Sequence, residues 1–216
     1  MDYGFINTYL RSVPLPAIDM WQAGEIINYY SFGHYWASVL IRFLAVSPAV
    51  GYNLILGFIG GVVTSMTMVL VTAISDIKTR VSLVGGMLAS IVMVFGGNGH
   101  TVWYLVKNGS FNSYWYADAT RFIHNTIHEF PSYSLIVSDL HGHVLDLPVV
   151  LLFLLTFYCF HKSKSLKGLF LLGGLFGVMA MTNTWDVLIY GLLVSIYYLF
   201  LIFKKDISLL GALGHA

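Results

Sequence analysis

Five continuous apolar stretches dominate the chain, at about residues 51–75, 81–97, 145–161, 168–183 and 186–203. None alternates polar and apolar positions as the strands of a membrane barrel do, so each predicts a helix. A hydrocarbon core takes roughly 20 apolar residues, within about 17–25, which makes the third and fourth stretches short. The fourth borrows length from its flanks. His34 to Val46 is also apolar, but it is brief, carries Arg42 and precedes Pro48. It predicts a helix lying in the interface, with Tyr35 and Trp36 at headgroup level. Reading it as a sixth span would put the N-terminal segment in the cytoplasm. The expected fold is all-α: a polytopic transmembrane helical bundle of about five spans with short interfacial helices. It reads as one membrane domain over 1–216, with loops at 1–50 and 98–144, a first pair of spans at 51–97 and three more at 145–203. The polar start and the stop just past a span suggest part of a longer protein.

The cations orient this bundle. Asp76-Ile77-Lys78-Thr79-Arg80, the run His161 to Lys167, and Lys204-Lys205 all fall on one face if the five stretches are the spans. Positive charge marks the cytoplasmic face, so residues 1–50, 98–144 and the turn at 182–186 are expected outside it, in a multi-pass plasma-membrane protein. Composition agrees. The 216 residues are 57% hydrophobic and 10% charged, with mean hydropathy +0.77, against about 25% charge in soluble domains. A net charge of +1 offers no basic surface to nucleic acid. The single cysteine, Cys159, cannot form an internal disulfide, and the first residues lack the basic and apolar regions of a signal peptide. Gly57 with Gly61, and Gly173 with Gly177, have the spacing that lets helices approach closely in lipid.

Four polar constellations lie in the expected outer segments. Asp2 precedes a helical-looking Phe5/Ile6/Tyr9/Leu10 face; it is a base tuned by burial, or a cap or solvated charge. Glu25, Asn28, Tyr29, Tyr30 and His34 combine rings that stack on sugars with groups that pair with hydroxyls. An interfacial aromatic belt explains the rings but not Glu, Asn and His together. Arg121, His124, His128, Glu129, Asp139, His141 and His143 form the densest cluster. His124 and His128 are spaced for one helix face, and Asp139, His141 and His143 alternate as on one side of an extended segment. The set His124, His128, Asp139, His141 and His143 suits a divalent metal, a lipid phosphate, or helix capping. Glu129 follows the second histidine, unlike the order in zinc proteases. Asn183, Trp185 and Asp186 sit between two spans, where an ionisable group is costly and often functional, or caps the next helix.

These blocks resemble the Chlor_Arch_YYY family of membrane proteins. The matching residues are Met1-Asp2 to Arg11-Ser12, Asp19-Met20-Trp21 with Gly24, Asn28-Tyr29-Tyr30 with Phe32-Gly33-His34-Tyr35, His128 to Pro131, Asp139-Leu140-His141 with His143, and Asn183 to Asp186. Ser31 stands where that family has a third tyrosine. Gly142 stands where it has proline, loosening the turn between the histidines. The order of acidic residue, short helix, Pro-containing loop, aromatic stretch, interfacial helix and span also resembles the first external loop of the GT-C glycosyltransferases. That resemblance implies transfer of a sugar from a polyprenyl-phosphate donor, with Asp2 as the catalytic base, although Tyr3 replaces the usual second acid. Glu25, Asn28, Tyr29 and Tyr30 would then line the sugar site, and Arg42, Arg121, His141 and His143 would meet the leaving phosphate. Partners are the bilayer and the lipid-linked sugar. The alternatives are a polar-solute transporter or channel, using Asp146, Asp186 and a glycine-broken fourth span, and a metal-dependent hydrolase on the histidine cluster.

Overall fold

A computed structural model describes residues 1–12, 15–75 and 80–204. Val13, Pro14, the Asp76–Thr79 part of the first cationic loop, Lys205 and the C-terminal residues after it lie outside the described residues. The helices are α1 (Asp2–Arg11), α2 (Phe32–Leu44), α3 (Pro48–Ser75), α4 (Arg80–Phe95), α5 (His100–Asn108), α6 (Asp118–Arg121), α7 (Pro131–Val137), α8 (Gly142–Ser163), α9 (Leu166–Thr182) and α10 (Thr184–Phe203). No strand occurs among the described residues; Ile18 and Ile26 form an isolated antiparallel bridge.

Apolar helices stand where all five stretches were expected. Three of them, α3, α8 and α10, are long and apolar enough to cross a membrane alone, and a fourth crossing arises if α4 and α5, bent by 68°, act as one. The 17-residue α9 sits at the short limit of a span. The chain divides into two compact units: Met1–Tyr52 with the chain from His141 onward, and Asn53–Leu140.

In the first unit α8 and α9 form an antiparallel hairpin. Lys164, at φ 50°, ends α8 in a left-handed turn, and the Ser165 hydroxyl caps α9 by accepting from Gly168 N at 3.1 Å. Phe153, Phe160, Leu172 and Met179 form the buried centre of this pair. The Phe153 and Phe176 rings meet edge to face at 4.8 Å. Inside lipid such packing gains dispersion and not hydrophobic energy. α10 leaves Leu188, Ile189, Leu192, Ile196 and Phe203 exposed, as a lipid-facing surface requires. α1 and α2 pack together, and Arg42 Nη2 donates to the carbonyls of Tyr9 and Leu10, each at 2.8 Å. Those are C-terminal carbonyls of α1 that the helix itself leaves unsatisfied.

The second unit holds most of α3 together with α4 to α7. Ser90 Oγ donates to the Thr64 carbonyl at 2.8 Å, tying α4 to α3. Ser132 Oγ donates to the Gly96 carbonyl at 2.7 Å, tying the start of α7 to the end of α4.

Several expectations change. Gly57, Gly61, Gly173 and Gly177 have open space where a Cβ would stand, so they mark no helix contact among the described residues. Close approaches between helices occur instead at Gly33, Gly51, Gly86 and Gly142, among others. α9 is continuous, and the break falls after it, at Asn183, whose extended backbone (φ −153°, ψ 94°) separates α9 from α10. Gly142 loosens nothing: a Cβ there would lie 2.8 Å from the Thr182 carbonyl oxygen and 3.0 Å from the Tyr30 ring. The missing side chain is what lets the first turn of α8 seat against the α9–α10 break.

Candidate functional site

The first turn of α1 carries a buried carboxylate, Asp2. Phe5 and Ile6, one turn further, are buried with it and remove it from water. Two imidazoles reach the same oxygen: His34 Nε2 and His141 Nδ1 each lie 2.9 Å from Asp2 Oδ1. His34 belongs to the first turn of α2 and is fully buried. His141 is the N-cap residue of α8. Burial alone would raise the Asp2 carboxyl. The hydrogen bonds and charges of His141 and His34 outweigh it and hold the group well below the usual carboxylate range. An ionised oxygen only accepts, so the nitrogen of each ring that faces Asp2 donates. The opposite nitrogen of a neutral ring is then an acceptor. For His34 that atom, Nδ1, is buried without a partner. For His141 it is Nε2, 3.4 Å from the Tyr29 hydroxyl, on a side chain that stays 28% exposed.

Tyr29 leads from this dyad to a groove of about 540 Å³, lined on one side by Tyr9, Asn28, Tyr29, Tyr30 and Ser31 and on the other by Ala180, Met181 and Thr184 of the α9–α10 junction. Phe5 and Tyr29 stack at 5.4 Å with planes 7° apart, and Tyr29 stacks on Tyr30 at 4.0 Å. The groove thus has an aromatic wall edged by hydroxyls and an amide. Burial, the Tyr30 hydroxyl and the Asp2 charge all raise the Tyr29 phenol above its ordinary value, so it stays a neutral donor. Ser31 accounts for its place in the tyrosine run: its buried hydroxyl pairs with Tyr9 Oη at 2.7 Å.

A family model described as uncharacterized membrane protein (DUF2298) matches residues 1–213. The chain belongs to that family. No curated protein and no solved structure matches it. Membership in DUF2298, with the long apolar helices, makes this an integral membrane protein.

In this DUF2298 protein the site draws on distant parts of the sequence. Asp2, Tyr29, His34 and His141 are in contact, and Asn28 and Tyr30 line the groove beside them. Tyr9, expected on the helical face beside Asp2 but not as a site residue, and Thr184 also line the groove. His143 stands in the first turn of α8, its ring 5.6 Å from that of His141. It lies in helix, which corrects the extended segment expected for Asp139, His141 and His143. Glu25 is exposed, in a turn where Asp19 N donates to its carbonyl at 2.8 Å. Trp185 is 66% exposed. Asn183 Nδ2 donates to Asp186 Oδ2 at 2.8 Å.

Arg121, His124, His128, Glu129 and Asp139 belong to the second unit. Arg121 donates to the Thr120 hydroxyl at 3.1 Å and lies over the Trp115 ring. The helix face expected for His124 and His128 does not form. Asn125 takes φ 58°, and His128 N donates to the Thr120 carbonyl at 3.0 Å, folding the segment back on α6. A four-residue spacing aligns two ligands only on a helix.

Proposed function

We propose that this DUF2298 protein is a GT-C-like glycosyltransferase that moves a sugar from a polyprenyl-phosphate donor to a hydroxyl acceptor outside the cytoplasm. The observation that carries the reading is the ionised Asp2 behind His141, whose second nitrogen reaches the Tyr29 hydroxyl at the edge of an aromatic groove. A carboxylate held so far down is a weak base but a strong orienting partner. The work divides accordingly. Asp2 fixes the His141 ring and stabilises the imidazolium, while His141 Nε2 takes the proton, the logic of hydrolase triads. As the acceptor oxygen bonds to the anomeric carbon, the bond from that carbon to the phosphate oxygen breaks, and the configuration inverts. Polyprenyl phosphate leaves with the electron pair. The sugar ring lies on Tyr29 and Tyr30, its hydroxyls meeting Asn28 and Thr184. His143, and Arg42 behind Tyr9, supply N–H groups for the phosphate charge.

Helix direction supports the side of the membrane. α8 and α10 both start at the groove end and run toward Lys162, Lys164 and Lys204, where Lys164 meets Tyr197. Lysine-bearing ends read as cytoplasmic, which supports a groove on the opposite face of a plasma membrane.

The test uses purified full-length protein in liposomes with a radiolabelled polyprenyl-phosphate sugar and a simple alcohol acceptor. Labelled glycoside and free polyprenyl phosphate are expected. In His141→Asn the amide nitrogen replaces Nδ1 toward Asp2 and Nε2 is gone, so the rate should fall roughly 100- to 10,000-fold. An unchanged rate in that variant removes His141 from the chemistry. Absence of transfer in the wild type, with any such donor, overturns the activity.

A further inference from the structure

The function proposed above leaves unused a pair of acids in the first unit, Asp146 and Asp186. Asp146 lies in the second turn of α8 and is fully buried, and no donor reaches either of its oxygens unless a proton is shared with Asp186. A carboxyl so placed is expensive, since buried polar groups are nearly always satisfied. It faces the Asp186 carboxyl, in the first turn of α10. Tyr190, one turn along α10, is within electrostatic reach of both. Among the described residues no lysine or arginine forms an ion pair with either acid.

The surroundings are rich in oxygen. Gly142 brings the first turn of α8 against the Thr182 carbonyl, and Asp146 follows Gly142 by one turn on the same face. Thr182 ends α9, so the negative pole of that helix points at the break. Asn183 donates its amide to Asp186 Oδ2, which orients that carboxylate while leaving its other oxygen available. Discontinuous helices in membranes use such breaks to hold cations with C-terminal carbonyls and acids.

We propose that Asp146 and Asp186, at the α9–α10 break, form a binding site for a hard metal cation of the alkali or alkaline-earth type. An all-oxygen donor set selects that class, and a cation between the carboxylates removes their repulsion, which low dielectric makes large. Ala180, Met181 and Thr184, which flank the break, also line the groove. Its two acids lie within α8 and α10 and are distinct from the Asp2–His141 dyad.

Chelator-treated, purified full-length protein is melted in detergent at fixed pH, with N-methylglucamine holding ionic strength. Sodium, potassium, magnesium and calcium are titrated separately. One of them should raise the melting midpoint saturably, by roughly 5–10 °C at a hundredfold excess over its Kd, and the arms show whether the ion is monovalent or divalent. Asp146→Asn and Asp186→Asn should each abolish the shift. Equilibrium dialysis of the wild type with the radioactive form of that ion serves if a variant fails to fold, and should reveal a single saturable site. A midpoint indifferent to all four cations, as a pair sharing only a proton would give, overturns the proposal. So does a shift that survives in Asp146→Asn. Transfer activity is measured in parallel, so a lost cation effect with intact transfer counts against this site alone.

Discussion

An Asp2→Asn protein is expected to insert and fold yet transfer sugar roughly 100- to 10,000-fold more slowly than the wild type. The asparagine keeps the shape of the first turn of α1 and still offers an oxygen to one imidazole. It removes the charge that both rings now share, at 2.9 Å each. The amide can also present its N–H₂ to His141, which selects the wrong tautomer and puts a proton on the nitrogen that should receive one. Asp2 acts through His141 and does not touch the sugar, so the loss should fall on kcat, with KM changing less than about threefold. A merely structural role would instead lower the amount of folded protein and leave kcat per folded molecule intact. Asp2→Glu restores the carboxylate and is expected to recover part of the rate. Kinetics of the three proteins in one liposome preparation settle the matter, and a wild-type kcat in Asp2→Asn removes the dyad from the mechanism.

His34→Ala should have the largest effect on stability, about 3–5 kcal/mol. The ring is fully buried, sits 5.2 Å from the Phe5 ring and supplies one of the two donors to Asp2. Its removal opens a cavity and strands a buried carboxylate on His141 alone. Replacing both partners by apolar residues avoids the stranded charge, so Asp2→Leu/His34→Leu should regain most of the stability while remaining inactive. The pH dependence follows from the direction of the Asp2 shift. A carboxyl held below its ordinary value of 3.8 contributes stability that is complete above that value and declines as pH falls through the acid range beneath it. The deficit of Asp2→Asn relative to wild type should therefore be flat between about pH 5 and 8 and shrink below about pH 4. Denaturant or thermal unfolding in detergent measures both effects. A His34→Ala protein as stable as wild type would show that the buried pair does not hold α1 to α2.

Much of the architecture was legible because apolar helices long enough for lipid leave an unmistakable run, and all five runs became helices. The helix expected at His34 to Val46 also formed: α2 spans Phe32–Leu44. Local spacing failed where it had to assume a conformation. The His124/His128 spacing aligns side chains only if the intervening backbone is helical, and Asn125 is not. The glycine pairs record which residues are small but not which face of a helix meets a neighbour, and theirs meet none among the described residues. Gly142 read as a loosened turn because the Thr182 carbonyl it rests against lies 40 positions away in the chain, beyond any local pattern. The dyad shows the same limit. Asp2 and His141 are separated by 139 positions, and only tertiary structure brings them to 2.9 Å of one another.

Accessibility labelling tests most directly the claim that the dyad and its groove lie on the face opposite the lysine-bearing helix ends. With Cys159 replaced by alanine, Asn28→Cys at the groove and Lys167→Cys at the start of α9 are expressed singly in intact cells and treated with a membrane-impermeant maleimide. Asn28→Cys should react in intact cells, and Lys167→Cys only after the membrane is opened. The reverse pattern would place the groove in the cytoplasm and contradict sugar transfer at the outer face.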